Sequence, residues 1–201
     1  MIALVISPIA ANAGVISVFG TGLDIDGNPL APGSADANYT VIENGNAPAV
    51  VVTNPAGTYL PNDANSQWIW QTGAGTPINT TITFRTTFDL TGFDPLTAVL
   101  NGAWGTDNQG IDILINGVST GIELLGVTVN NFNTLHAWQI STGFVAGINT
   151  LDFVIRDDGV IGAFRTELSG SADRIAVPEP GTLALLGLGL IGMGAARRKK
   201  A

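Results

Sequence analysis

Residues 81–90 alternate apolar and polar side chains with a period of two. The apolar face consists of Ile82, Phe84, Phe88 and Leu90. The opposite face carries Arg85, Thr87 and Asp89. Because successive side chains of a strand point to opposite faces of the sheet, this pattern predicts a half-buried antiparallel strand. One face of the sheet is therefore expected in the core and the other in solvent.

Other short β-prone segments follow along the chain: 39–42, 49–53, 68–70, 96–100, 111–115, 135–140, 151–155 and 161–168. Turns rich in Gly, Asn and Asp separate them, and Asn116-Gly117 predicts a tight hairpin. Charged residues make up only 12% of the chain, which also contains 26 glycines. We predict an all-β sandwich of about eight or nine short strands, with no helix before one apolar helix at the C-terminus.

Part of this pattern resembles the galactose-binding-like jelly rolls. The resemblance rests on a Thr-Asp-Asn-Gln loop at 106–109, an Ile-x-Ile-x-Ile-Asn-Gly hairpin at 111–117 and an Ala-Gly-Ile-Asn-Thr-Leu-Asp-Phe segment at 146–153. It covers residues 68–171 and implies a jelly-roll β-sandwich. One fold of this kind serves many functions, so the resemblance bears on structure more than on a ligand.

The C-terminal residues 177–201 have three parts. The first is the linker motif Val177, Pro178, Glu179 and Pro180. The second is an uncharged run at 182–196, and the third is the basic group Arg197, Arg198, Lys199 and Lys200. Prolines lack a backbone N–H and favour extended neighbours, so the linker is expected to be accessible. The basic group is expected to stop translocation and to mark the cytoplasmic side of a membrane.

The uncharged run is 15 residues long. As a helix it spans roughly 22 Å, against about 30 Å for a hydrocarbon core, so it suits a brief attachment better than a permanent one. The three-part tail resembles the PEP-CTERM sorting signal of bacterial exported proteins. That resemblance implies an exosortase-type enzyme of the inner membrane that recognises Pro178-Glu179-Pro180 and releases or transfers the chain. An ordinary tail anchor and a buried core helix are the alternatives.

Residues 1–13 form an apolar run that ends in Ala11-Asn12-Ala13. Two small residues separated by one other residue form the pattern that precedes the cleavage site of a signal peptide. The positively charged residues that usually begin a signal peptide are absent. We predict a truncated signal peptide at 1–13, and a first β-strand is the alternative. The predicted organisation is then a β-sandwich at 14–172, a linker at 173–181, and a transmembrane helix with its basic end at 182–201.

Most of the positive charge lies in the tail. Before it, the chain has four arginines against fifteen carboxylates, a net charge of −11, and has no lysine or cysteine. Such a surface repels nucleic acid, which we exclude as a partner. The chain has one histidine, no serine in a nucleophile elbow and no His/Cys cluster. No pair of carboxylates stands out for glycoside hydrolysis, so we predict no catalytic activity.

Two groups of residues are candidate sites. The first combines aromatic, amide and acidic side chains of the kind that bind sugars: Trp104, Asp107, Asn108, His136 and Trp138. The alternative for Trp104 is a place at the edge of the core. The second group offers oxygen ligands at alternate positions and suits a structural Ca²⁺: Asp24, Asp26 and Asn28. The alternative for this group is an Asx-type turn.

Together these features predict an exported, exosortase-sorted protein of the bacterial surface or extracellular matrix. The tail is expected to hold it at the inner membrane only transiently, before it reaches the cell surface or the medium. Its sandwich is expected to be non-catalytic and to bind polysaccharide. A purely structural matrix protein without a small ligand, or a glycan-active enzyme, are the alternatives.

Overall fold

A computed structural model describes residues 12–175 of the chain. Within that range the protein forms eleven strands: β1 Ala13–Val15, β2 Ala35–Val41, β3 Ala47–Val51, β4 Ile69–Trp70, β5 Thr81–Asp89, β6 Val99–Asp107, β7 Gln109–Ile115, β8 Val118–Ser119, β9 His136–Ile140, β10 Ile148–Arg156 and β11 Ala163–Asp173. A single turn of α-helix, α1, spans Asn130–Asn133, and 3-10 turns span Ile42–Asn44 and Pro95–Thr97. The all-β prediction is confirmed, with more strands than the eight or nine expected.

Every strand pairs antiparallel with its neighbours, in the order β8-β7-β10-β5-β2-β3-β4-β11-β6-β9, and β1 adds to β11. The β7-β10-β5 half of this path faces the β11-β6-β9 half across the core. Phe153 of β10 illustrates the packing, because its ring centroid lies 4.9 Å from that of Phe164 in β11 and 6.1 Å from that of Trp104 in β6. The result is a sandwich with an aromatic core.

Strand β5 has the alternation that its sequence predicts. Its apolar side chains are buried in the core: Ile82, Phe84 and Phe88. Full burial of each such side chain contributes about 2 kcal/mol to folding. On the opposite face, Arg85 donates two hydrogen bonds of 2.7 Å to the Asp152 carboxylate of β10. The outer face of this sheet is thus polar and the inner face apolar.

The predicted strands 96–100 and 111–115 leave residues 101–110, with the loop at 106–109, outside the sheet. That prediction is wrong, because most of these residues belong to the long strand β6 and the start of β7. Their glycines and amides are typical of turns, but the glycines here make room for indole rings. A Cβ on Gly110 would overlap the ring of Trp104, and a Cβ on Gly102 would overlap the ring of Trp138. Glycine therefore lets large aromatic side chains lie flat against the sheet.

The body of the protein extends slightly further than the predicted 14–172. Asp173 lies in β11 and Arg174 pairs with Phe93, so both belong to the compact unit Asn12–Arg174 rather than to the linker. Within the described range, no helix has the length and apolar character needed to cross a membrane. The predicted helix at 182–201, the sorting motif at 177–180 and residues 1–11 of the predicted signal peptide lie outside the described residues.

Candidate functional site

The two tryptophans proposed to stack on a sugar lie in the core instead. Trp104 is 1% exposed and Trp138 is 7% exposed. Both rings pack against Phe153, with centroid distances of 6.1 Å for Trp104 and 5.9 Å for Trp138. Neither ring has a free face for a ligand. The alternative reading of Trp104 as a core residue is therefore the one that the structure supports, and the reason is the glycine opposite each ring.

Asn108, between β6 and β7, bonds to the end of β10, to the turn that follows β10 and to helix α1. Its backbone N–H donates to Arg156 O at 2.9 Å, and its Oδ1 accepts from the N–H of Asp158 at 2.6 Å. Its carbonyl accepts from Asn131 Nδ2 at 2.6 Å, and its Nδ2 donates to Asp107 Oδ1 at 2.7 Å. All of its polar groups are engaged within the protein. Asn108 is consequently placed to hold these segments together rather than to meet a ligand.

Asp107 is buried beside Asn108 and receives a hydrogen bond from the Tyr59 hydroxyl. Burial raises the pKa of Asp107 to about 6, and the negative charge of nearby Asp157 adds to this effect. Burial, followed by the hydrogen bond to Asp107, raises the pKa of Tyr59. Burial also raises the pKa of Asp157, which is fully enclosed. Asp107 and Tyr59 therefore form a buried hydrogen-bonded pair, and Asp157 lies near enough for its charge to act on both.

His136 lies at the start of β9, partly exposed, with Nε2 2.9 Å from the carbonyl oxygen of Asn130. This contact ties β9 to helix α1. The register places His136 opposite Trp104, whose ring is turned inward. The five predicted ligand-binding residues thus lie close together, on β6, on β9 and at the link between β6 and β7.

The predicted calcium ligands form an Asx-type turn. The Asp24 Oδ1 atom accepts hydrogen bonds from the backbone N–H groups of Asp26, at 2.9 Å, and Asn28, at 2.8 Å. The Asn28 side-chain nitrogen also points at the Asp24 carboxylate. The bond from the Asn28 backbone is the main cause that lowers the pKa of Asp24. Across residues 12–175 no group of three or more His, Cys, Asp or Glu side chains is placed to hold a metal ion.

An opening that the sequence did not suggest lies on the outer face of β6 and β11. This outer cleft has a volume of about 550 Å³. Its floor is made of side chains that point away from the core: Asn101, Ala103, Glu167 and Ser169. One wall comes from the segment that follows β1, with Phe19 and Leu23, and Asn65 lies on the other side. The cleft therefore combines apolar walls with a polar floor.

Strand register positions the floor of the outer cleft. Glu167 pairs with Ala103, and Ser169 pairs with Asn101, so the four residues form two adjacent rows. Their neighbours along each strand, such as Leu100 and Thr166, point inward. Gln139 of β9 donates to Asn101 Oδ1 at 2.7 Å and orients that amide. Period-two alternation of Arg165, Glu167 and Ser169 is the sequence signal that marks this face.

Arg165 holds the loop that borders the outer cleft. The guanidinium is fully buried and donates to Ser66 Oγ at 2.7 Å and to Pro61 O at 2.6 Å. Its Nη2 lies 2.7 Å from Asp63 Oδ2. Although burial alone would raise the pKa of Asp63, hydrogen bonds from Asn65 and Arg165 outweigh it and lower that pKa. The loop at 61–66, which carries Asn65, is thereby fixed in place.

The chain is similar to a solved structure described as "Structure of a family 35 carbohydrate binding module from an environmental isolate". It is 14% identical, covers 64% of this chain and 88% of its own chain, and has a TM-score of 0.39. These values are too low to assign a ligand to the present protein. No curated protein has significant sequence similarity to the chain.

The tail gives the clearest comparison. Residues 176–199 match the family described as PEP-CTERM protein-sorting motif. The match includes the predicted motif Val177–Pro180 and reaches Lys199 of the basic group. The predicted resemblance of the tail is confirmed. This chain carries a PEP-CTERM sorting motif at its C-terminus, which indicates an exported protein.

Proposed function

We propose that this protein is processed at the inner membrane by an exosortase-type enzyme and then binds extracellular polysaccharide through the outer cleft of its β-sandwich. Processing removes or replaces the apolar helix at 182–201 and leaves the sandwich at the cell surface or in the extracellular matrix. The sorting motif at 176–199 supports the first half of this proposal. The outer cleft supports the second half.

The composition of the outer cleft is the observation that carries the binding proposal. Sugar rings present apolar C–H faces and polar hydroxyl groups, so their sites combine apolar surface with a few amide and acidic side chains. Phe19 and Leu23 supply the apolar surface. Asn65, Asn101 and Glu167 supply acceptors and donors on the floor and the opposite side. This arrangement suits the side of a polysaccharide chain.

The binding proposal is tested by affinity gel electrophoresis of residues 12–175 in gels that contain individual polysaccharides. The variant Ala103→Trp fills the floor of the outer cleft with an indole ring. We expect wild-type protein to be retarded by at least one polysaccharide and Ala103→Trp to migrate freely. The control is Thr87→Trp, at an exposed position of β5 on the opposite sheet, which should be retarded like wild type. Thermal unfolding checks that all three fold.

Three results would contradict the proposal or its non-catalytic form. If no polysaccharide retards the wild-type protein, a purely structural role in the matrix becomes the better description. If Ala103→Trp is retarded as strongly as wild type, binding occurs elsewhere on the protein. Release of reducing ends from a bound polysaccharide would overturn the non-catalytic part and favour a glycan-active enzyme.

A further inference from the structure

We propose that the outer cleft selects polysaccharides of cationic amino sugars, with Glu167 as the residue that reads the free amine. The proposal rests on the function proposed above, since it requires that the outer cleft binds glycan. It adds that the ligand is positively charged and that the Glu167 side chain selects it. Hexosamine units that keep a free 2-amino group, rather than an acetylated one, are the ligands in question.

The charge of the outer cleft comes from one residue. Glu167 is the only ionisable side chain among the described residues that line it. The other polar side chains are the neutral Asn65, Asn101 and Ser169. An acidic sugar would bring its carboxylate or sulfate close to Glu167 with no arginine or lysine on the lining to offset the repulsion. A free amine would instead form a charge-assisted hydrogen bond.

The Glu167 carboxylate is not committed to another group of the body. Glu167 accepts a hydrogen bond from Thr166 Oγ1 at 3.0 Å, but at its backbone carbonyl. Among residues 12–175 no group donates to its carboxylate, although the residue is only partly exposed. The arginine on the same face of β11, Arg165, is two residues away, and its guanidinium is taken up by Pro61, Ser66 and Asp63. The negative charge of Glu167 is therefore left facing the cleft.

The charge of the whole body acts in the same direction. Residues 12–175 carry fifteen carboxylates and four arginines, a net charge of −11. A field of this sign increases the encounter rate with a polycation and lowers it with a polyanion. Long-range attraction alone would be insensitive to the position of any one carboxylate. Dependence on Glu167 in particular is what separates a specific site from general attraction.

The test measures binding of three hexasaccharides to the full-length chain in nonionic detergent by isothermal titration calorimetry at 150 mM salt. The probes are a glucosamine hexamer, the corresponding N-acetylglucosamine hexamer and a galacturonic acid hexamer. We expect the glucosamine hexamer to bind at least tenfold more tightly than the acetylated one, and the acidic hexamer not to bind. The variant Glu167→Gln should weaken binding of the glucosamine hexamer about tenfold and leave binding of the acetylated hexamer unchanged.

The control is Glu123→Gln, which makes the same change of charge at an exposed position outside the cleft. It should bind like wild type. Equal affinity for both hexosamine hexamers, tighter binding of the acidic hexamer, or equal losses in Glu123→Gln and Glu167→Gln would overturn the inference while the cleft remains a glycan site. If no probe binds and no polysaccharide retards the protein in gels, the inference and the proposed function fail together.

Discussion

Asn116 and Asn149 are 33 residues apart in sequence, and the Asn116 Nδ2 atom donates a 2.8 Å hydrogen bond to Asn149 Oδ1. Asn149 is fully buried, and its remaining amide groups bond to the backbone of Val145 and Gly147. Asn116 in turn accepts from the N–H of Thr150 at 3.0 Å. The pair joins the turn between β7 and β8 to the turn before β10. The Asn of the hairpin at 111–117 and the Asn of the segment at 146–153 therefore both have a structural role.

Replacement of Asn149 by alanine is therefore expected to lower the free energy of unfolding by about 2–4 kcal/mol, because several buried polar groups lose their partners at once. Urea denaturation measures this change. The control Asn133→Ala removes an exposed amide from α1 and should change stability by less than about 0.5 kcal/mol. Equal effects of the two changes would contradict a stabilising role of the Asn116–Asn149 pair.

A second prediction concerns Arg165, whose hydrogen bonds and ion pair fix the loop at 61–66. Arg165→Lys keeps the charge but cannot reach Pro61, Ser66 and Asp63 together, since an ammonium is a single point of contact. We expect a loss of about 2–4 kcal/mol and faster proteolysis within 61–66. Arg156→Lys, which alters a partly exposed pair with Asp158, should cost less than about 1 kcal/mol. Unchanged proteolysis of Arg165→Lys would show that the loop is held by other contacts.

The glycine that faces Trp104 gives a packing prediction. Gly110→Ala forces a methyl group against the indole ring, and overpacking of this kind costs about 1–3 kcal/mol. Near-ultraviolet circular dichroism should also change, because the ring must shift. Gly57→Ala is the matched control, since nothing lies within 4 Å of a Cβ at that position. A Gly110→Ala protein as stable as Gly57→Ala would refute the close contact.

Two buried acids predict how stability depends on pH. Burial raises the pKa of Asp36 to about 6 and that of Asp107 to about 6, above the ordinary value of 3.8. The folded protein therefore binds these protons more tightly than the unfolded chain, and its stability rises as pH falls from about 7 towards about 4.

We expect a gain of roughly 1–3 kcal/mol from Asp36 over this interval. Below about pH 4 stability should fall again, as Asp63, whose pKa is lowered by its partners, becomes protonated. Urea titrations between pH 3 and 8 measure the profile. Asp36→Asn should flatten its upper part, and a profile that declines steadily from pH 7 to 4 would contradict the assignment.

The sorting motif predicts a block in processing when its acidic residue is removed. Glu179→Ala should leave the full-length precursor in the inner membrane, because the proline-bracketed glutamate is the feature proposed for recognition. Cell fractionation and the intact mass of the exported protein measure this. Glu123→Ala, an acidic change within the body, should be processed normally. Mature Glu179→Ala protein outside the cell would exclude Glu179 as a recognition element.

The sequence predicts those parts of the fold that depend on local pattern. The alternation of β5 and the Asn116-Gly117 hairpin both follow from short-range chemistry, and both are present. The placement of Trp104 and Trp138 depends on which glycine lies across from each ring. Gly102 pairs with Trp138 in the register of β6 and β9, whereas Gly110 contacts Trp104 from β7, a strand that pairs with β10 and not with β6. No local sequence pattern reveals either partner.

The sequence does not predict the outer cleft, for a related reason. The outer cleft brings together Phe19, Asn65, Asn101 and Glu167, which come from four separate segments of the chain. None of these residues stands out within its own segment. Residues with a distinctive sequence pattern, such as Trp104 and Asn108, have structural roles instead: Trp104 packs in the core, and Asn108 hydrogen-bonds to neighbouring segments. In a small β-sandwich, conspicuous aromatic and amide residues can thus serve to stabilise the fold and not to bind a ligand.

The position of β11 has a consequence for the order of events during export. This final strand of the body pairs with β1, β4 and β6, so it completes one entire layer of the sandwich. A chain that emerges N-terminus first cannot close its core until Asp173 has left the translocon. The sorting motif follows within a few residues. If the tail is processed as proposed, completion of the fold and processing of the motif would follow each other closely in time.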